Sequence, residues 1–227
     1  MNAKFWGVRG SISVSGAGFA ATGGNTACVA VESEGHLLVL DAGTGLRALG
    51  ARLGFAPVDM TLCFSHVHCD HIQGVPFFTP FFHPESRIRV LGARRDGAGI
   101  RDTLQAQLKP PVFPITLDTL RAQLQFDDID VGQSFEVGPF RLRFCEGADL
   151  LAHDVQYTDE EYAYRRGWGH STWKHAVGVA RAAAVGKLAL IHHDPMREDG
   201  AVAEIERLSL ERLPGAFAAR EGLSMAV

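Results

Sequence analysis

The segment LCFSHVHCDHIQG, residues 62–74, constrains this chain more than any other. An apolar run ends there, and three histidines and one aspartate follow within six positions, at His66, His68, Asp70 and His71. Residues i and i+2 of an extended segment point to the same side, so the imidazoles of His66 and His68 can reach one cation. Asp70 and His71 follow where the chain turns and can face a second one. Such ligands suit Zn²⁺, with Mn²⁺ or Fe²⁺ as alternatives, so this spacing favours a metal site over a polar turn.

The composition is that of a globular protein without a large nucleic-acid interface. The 227 residues are 46% hydrophobic, and 22 basic against 26 acidic residues give a formal net charge of −4. This balance argues against a long structured RNA as a partner. The four cysteines form no CxxC pair, the N-terminus lacks an apolar signal core, and no window approaches the ~20 apolar residues of a membrane span. We therefore expect one domain over residues 1–227, in the cytoplasm and not in a membrane.

Strand-like runs dominate the beginning of each half of the sequence, and helices alternate towards its end. The predicted strands are KFWGV, TACVAVES, HLLVLDAG, DMTLCFSH, RIRVLG, a meander of LQFDDI, SFEVG and FRLRFC, and then ADLLAHDVQ and KLALIHH. The predicted helices are GLRALGARLG, one starting at DHIQGVPFF, GIRDTLQAQL, STWKHAVGVARAAAVG and AVAEIERLSLERL. This mixture predicts an α/β fold in which two sheets pack face to face with helices outside, in four layers.

Several motifs together resemble a known family. HVHCDH, with the upstream VLDAGTG, is similar to the metal-binding motifs of metal-dependent hydrolases with the metallo-β-lactamase fold. Other segments resemble the phosphodiesterase branch of that family, near ribonuclease Z and the cyclic-phosphate phosphodiesterases: FWGVRGSISV, GGNTACV, LDAGTGLRALG, FSHVHCDHIQG, YTDEEY, GWGHST and LIHHDP. The resemblance implies a four-layer αββα sandwich with metals at one edge of the two sheets.

The resemblance also implies roles for residues of the histidine-rich segment. His66 and His68 match ligands of a first metal, and Asp70 and His71 match ligands of a second. Asp70 is further expected to orient or deprotonate the attacking water. Asp41, at the end of the strand HLLVL, is expected to brace the metal loop without binding metal.

Two later histidines match further functional positions of the family. His192 follows the strand KLALI at the position of the C-terminal ligand, and it is favoured over its neighbour His193, which lies on the opposite side of the strand. His170 in GHST is implied to donate a proton or hydrogen bond near the scissile phosphate, assisted by Asp154. An aspartate orients an imidazole and raises its pKa. Lactone and thioester hydrolases that share HxHxDH are not expected to have His170, so GHST favours phosphodiesters.

The sequence departs from the family pattern after Phe144. Members of the family carry another histidine ligand and then an aspartate that bridges both metals, whereas this chain runs directly from FRLRFC to EGADLLAHDVQYT. Two strands with their loops, on the order of twenty to thirty residues, are missing by this comparison. The nearest polar residues align with neither lost ligand: Cys145, Glu146, Asp149 and His153.

This departure predicts one metal held mainly by the second site. The first site would keep two protein ligands, and the second would keep Asp70, His71 and His192. The second sheet would be incomplete, and its uncovered edge would allow a homodimer. The leading hypothesis is a metal-dependent hydrolase that binds one or two Zn²⁺, Mn²⁺ or Fe²⁺ ions and cleaves a small or cyclic phosphodiester. The alternatives are a lactone or thioester hydrolase and a degenerate, non-catalytic metal-binding relative.

Overall fold

The computed structural model describes residues 1–94, 97–130, 134–142 and 148–227, apart from the side chains of residues 135 and 142. Phe144, Cys145 and Glu146 therefore lie outside the described residues. Within the described ranges, every helix is too short or too polar to cross a membrane.

A seven-stranded mixed sheet forms the larger half of the fold, in the order β12–β1–β2–β3–β4–β5–β6. Its strands are β1 (Asn2–Gly7), β2 (Cys28–Ser33), β3 (His36–Leu40), β4 (Asp59–Cys63), β5 (Arg87–Ala93), β6 (Gln123–Ile129) and β12 (Ser224–Ala226). The pairs from β12 to β3 are antiparallel, and β3 to β6 run parallel. The carboxyl ends of β3 and β4 therefore meet at the same edge, where residues 41 and 64–71 follow them.

The second sheet contains three parallel strands in the order β11–β10–β9. They are β9 (Leu150–Asp154), β10 (Lys187–Ile191) and β11 (Ala216–Ala218), while β7 (Phe135–Val137) and β8 (Phe140–Leu142) form a separate hairpin. The predicted meander is wrong, because β6 pairs with β5 over seven residues and joins the large sheet instead. Among the described strands, β9 is paired on one side only.

The two sheets pack face to face with helices on both outer faces. Phe5 and Val29 of the large sheet share a buried cluster with Ala189 of the small one. The helices α1 (Gly45–Leu53) and α3 (Ile100–Gln107) cover the outer face of the large sheet, and α5 (Trp173–Ala182) and α6 (Asp199–Leu210) cover that of the small sheet. The predicted four-layer α/β arrangement is confirmed.

Two short helices complete the fold, α2 (Cys69–Ile72) and α4 (Asp159–Tyr164). The helix expected to start at DHIQGVPFF has a single α-helical turn, after which the chain continues in 3₁₀ turns over Val75–Phe77 and Thr79–Phe82. Pro76 and Pro80 lie in these turns, and their missing N–H groups cannot extend an α-helical ladder.

Candidate active site and metal centre

Most of the predicted site residues lie at or just beyond the carboxyl ends of strands from both sheets. Asp41 directly follows β3, and His192 directly follows β10. β4 ends at Cys63, so His66 and His68 lie in the following loop and not on the strand. Their rings meet nevertheless, with Nε2 of His66 3.1 Å from Nδ1 of His68.

Three of the predicted ligands converge into one buried group: Asp70, His71 and His192. Their donor atoms all lie within 4.8 Å of one another. Nε2 of His192 lies 2.9 Å from Oδ2 of Asp70 and 3.0 Å from Nε2 of His71. One carboxylate and two imidazoles match the donor set of a catalytic zinc that keeps an open fourth position. The chemistry of this donor set therefore fits one divalent cation.

A carboxylate lies behind each imidazole of this group. Nδ1 of His71 is 3.0 Å from Oδ2 of Asp41, and Nδ1 of His192 is 2.9 Å from Oδ2 of Asp154. A carboxylate beside Nδ1 favours a proton on that nitrogen and leaves the Nε2 lone pair for a cation. Asp41 also accepts hydrogen bonds from the N–H and Oγ–H of Ser65, both at 2.8 Å. Asp41 therefore links His71 to Ser65 at the start of the histidine-rich loop, and its bracing role stays a prediction.

The buried carboxylates of the site require positive charge. Burial raises the pKa of Asp70, but hydrogen bonds from His192 and His71 outweigh it and hold this pKa well below its usual range. Burial lowers the pKa of His71, but contacts with Asp41 and Asp70 outweigh it and raise this pKa to about 9. Burial likewise lowers the pKa of His192, but contacts with Asp154 and Asp70 outweigh it, so this pKa is raised above its usual value. Protonated imidazoles or a bound cation can supply that charge.

His66 and His68 form a separate pair with fewer donors. The ring centroid of His66 lies 3.9 Å from that of His71, so the pair adjoins the buried group. Burial and the neighbouring His71 lower the pKa of His66 to about 4, which keeps its imidazole neutral. Within the described part of the chain, no third donor joins the two rings in a compact group. The pair therefore offers two ligands, against three in the buried group.

Asp149 and His153, the two described residues among those considered as replacements for the lost ligands, belong to neither histidine group. Asp149 is exposed and precedes β9, at the opposite end of that strand from Asp154. Nδ1 of His153 lies 2.8 Å from the carbonyl oxygen of Asp154. Among the residues that the structure describes, neither belongs to a potential metal-binding group.

His170 and Asp154 form the pair expected from the sequence. Nδ1 of His170 lies 2.9 Å from Oδ2 of Asp154, and the other carboxylate oxygen accepts from the N–H of Ser171 at 2.7 Å. Thr172 caps α5, since its side chain accepts from the N–H of His175. Burial raises the pKa of Asp154, but hydrogen bonds from His170 and His192 outweigh it and hold this pKa well below its usual range.

A link between His170 and His192 was not expected from the sequence. The same Oδ2 atom of Asp154 lies 2.9 Å from a ring nitrogen of each histidine, and the two rings stack with centroids 4.9 Å apart. Asp154 therefore connects the predicted proton donor to a predicted metal ligand. His193 is fully buried, its pKa is lowered by burial to about 3, and it lies outside the group.

The N-terminal segment contributes to the site through its backbone, which no side-chain motif signals. Ser11 adopts φ +63°, and its N–H donates to Oδ2 of Asp70 at 2.8 Å. A Cβ atom at Gly10 would lie 2.2 Å from Nδ1 of His192, so only glycine leaves room for this ring. Arg9, in the same segment, is a buried residue with structural contacts. It is fully buried, and it donates to the carbonyl oxygens of Gly23 and Arg197 at 2.7 Å each.

The family is established by sequence. Residues 21–145 match the model of the metallo-beta-lactamase superfamily, which is more than half of the chain. The chain therefore belongs to this superfamily, and it is similar in sequence to ribonucleases Z. The predicted family is confirmed.

Two relatives are ribonucleases Z. The enzyme of Exiguobacterium sp. is 34% identical over 85 residues, which cover 37% of this chain but 28% of that enzyme. The enzyme of Haloarcula marismortui is 22% identical, over 74% of this chain and 80% of its own length. That alignment spans 249 positions, more than the 227 residues of this chain. The archaeal enzyme thus contains segments that this chain lacks, whereas a shortening after Phe144 stays a prediction.

Solved structures share the fold at low identity. The metallo-beta-lactamase fold protein YhfI from Bacillus subtilis aligns with a TM-score of 0.73 and 17% identity, over 99% of each chain. A diphosphatase from the PhnP family aligns with a TM-score of 0.67 and 17% identity, over 100% of this chain and 97% of that one. At this identity the similarity supports the fold alone.

Proposed function

We propose that this protein is a hydrolase that uses a divalent cation, with zinc as the first candidate, to cleave a small or cyclic phosphodiester. The observation that carries the proposal is the continuous contact from Asp70, His71 and His192 through Asp154 to His170. In this series of contacts, the proposed cation site adjoins the proposed proton donor.

In this proposal the residues have separate tasks. Asp70, His71 and His192 would hold the cation, which supplies a Lewis acid and lowers the pKa of a bound water when present. Asp70 would orient the attacking water. Nδ1 of His170 would stay hydrogen-bonded to Asp154, and Nε2 of His170 would give a proton to the leaving oxygen. The side chain of His170 is 14% exposed, so a substrate can reach it.

The net charge supports the proposed size of the substrate. A net charge of −4 disfavours a long polyanion, so a small diester is the proposed substrate. We further propose that the protein acts in the cytoplasm. A lactone or thioester remains the second enzymatic candidate, because both would need the cation but not His170.

We also propose a homodimer that forms through β9. A groove of about 550 Å³ lies between β9, the β7–β8 hairpin and the inner face of the large sheet, with Leu150, Ala152 and Phe140 in its lining. A second copy offers the same edge, so the two β9 edges can pair about a two-fold axis. Sedimentation equilibrium that shows only monomer at high concentration contradicts this proposal.

The phosphodiesterase proposal is tested with bis(4-nitrophenyl) phosphate, a lactone and a thioester on the zinc-loaded protein. We expect diester turnover, and we expect His170→Ala to lower it by ~10²–10⁴-fold at unchanged zinc content. His175→Ala is the matched control, since His175 is exposed on α5 and away from the site. Full diester turnover by His170→Ala contradicts the proposed acid, and turnover of the lactone or thioester alone favours the second candidate.

A further inference from the structure

The loop between α4 and α5 carries an exposed tryptophan beside the site. We propose that Trp168 is a stacking platform for a flat aromatic ring on the substrate. The inference rests on the proposed function, and it assigns substrate preference to a residue outside the cation group.

Two glycines and two anchors hold this loop. Gly167 and Gly169 adopt φ +86° and +87°, a conformation that L-residues rarely adopt. On one side, the guanidinium of Arg165 lies 5.0 Å from the ring of Tyr157. The backbone carbonyl of Arg165 also accepts a hydrogen bond from the N–H of Trp168. On the other side, His170 is bound to Asp154. The loop between these anchors is therefore set before any substrate arrives.

The loop lies next to both histidine groups. A Cβ atom on Gly169 would be 4.0 Å from Cε1 of His68. Trp168 is two residues from His170, a separation that spans at most about 7 Å of chain. An indole at this position can reach a ring attached to a phosphate held at His170.

The exposure of Trp168 has no structural explanation in the described part of the chain. Trp168 is 64% exposed, and its indole makes no hydrogen bond, ring contact or cation–π contact with the described residues. The other two tryptophans behave differently. Trp173 is buried and Trp6 is partly buried against the core. An exposed indole combines a large apolar face with a polar N–H, a combination that is enriched in binding surfaces.

The charge beside Trp168 fits a phosphate ester. Arg166 is exposed and has no ion-pair or hydrogen-bond partner among the described residues. A free guanidinium and an exposed indole two residues apart form the combination that binds anionic aromatic ligands by charge and stacking. The ligand chemistry is thus a flat ring on a phosphate, either an aryl group or a nucleobase.

The test compares the affinities of monoesters that share one phosphate group. Phenyl phosphate is set against methyl phosphate, and thymidine 5′-phosphate against 2-deoxyribose 5-phosphate, by calorimetry at a fixed zinc concentration. Since the phosphate is common, each affinity ratio isolates the ring. We expect the wild type to favour the ring-bearing ligand by about 5- to 150-fold, the range of one stacking contact.

The preference should fall to near one in Trp168→Ala and persist in large part in Trp168→Phe. Phe55→Ala is the matched control, because Phe55 is 63% exposed and follows α1, outside the site. A preference in the phenyl pair alone assigns aryl esters, and a preference in both pairs extends the assignment to nucleobases. Equal affinities within both pairs, a preference that survives in Trp168→Ala, or no detectable binding of any ring-bearing phosphate overturns the proposal. Failure of the proposed function would appear separately, as absence of diester turnover by the wild type.

Discussion

Replacing Gly10 by alanine should damage the proposed cation site although no ligand residue is substituted. The added Cβ would lie 2.2 Å from Nδ1 and 2.3 Å from Cε1 of His192, and 2.8 Å from Oε1 of Gln156. Ordinary contact begins near 3.4 Å, so the imidazole must retreat by about 1.2 Å. Cation sites need their ligands placed within about 0.5 Å. The displaced ring would also leave Oδ2 of Asp154, which lies 2.9 Å from it.

We expect Gly10→Ala to bind zinc about 10- to 100-fold more weakly than the wild type, the range for lost support behind a ligand. Competition against a chromophoric chelator measures this change, and far-ultraviolet circular dichroism checks that the fold is kept. Gly178→Ala is the control, since its Cβ would meet no atom within 4 Å on the exposed face of α5. That control should keep the zinc affinity and gain about 0.5–1 kcal/mol in unfolding free energy. Wild-type zinc affinity in Gly10→Ala refutes the steric argument.

Two further substitutions test separate supports. Asp41→Asn removes the charge that lies 3.0 Å from Nδ1 of His71. Zinc affinity in the same competition assay should therefore fall by about 10- to 100-fold. An unchanged zinc affinity would count against a bracing role for Asp41. Thr158→Ala removes the cap of α4, where the hydroxyl accepts from the N–H of Glu161, and urea unfolding should show a loss of about 1 kcal/mol at unchanged zinc affinity. A stability equal to that of the wild type would mean that this cap is replaced by solvent.

Much of the fold could be predicted because its signals are local. The apolar runs that became β3, β4 and β10 end directly before polar residues, so the pattern located both the strands and the site at their ends. Pairing is harder to predict, because it depends on contacts between distant segments. β6 and the β7–β8 hairpin follow each other in sequence, yet they belong to different sheets. The short strands β11 and β12 also lacked a periodic signal long enough to recognise.

In the site, too, local motifs could be recognised in the sequence, whereas contacts between distant segments could not. Asp154 and His170 could be paired from their motifs, because each contributes a side chain of recognisable chemistry. Gly10 leaves room for the ring of His192, and Ser11 donates its backbone N–H to Asp70. In the sequence, both are only small residues. The contact between Asp154 and His192 joins two parallel strands and appears only once their register is known, with Ile191 opposite Asp154.

We propose that Asp70, His71 and His192 hold the cation, with His66 and His68 contributing less. The zinc content of three proteins tests this ligand set after equilibrium dialysis at one free zinc concentration: the wild type, His192→Ala and a His66→Ala/His68→Ala double variant. We predict near one ion per chain in the wild type, most of that content in the double variant, and loss of it in His192→Ala. Two tightly bound ions in the wild type, or equal zinc content in the wild type and His192→Ala, would contradict the account.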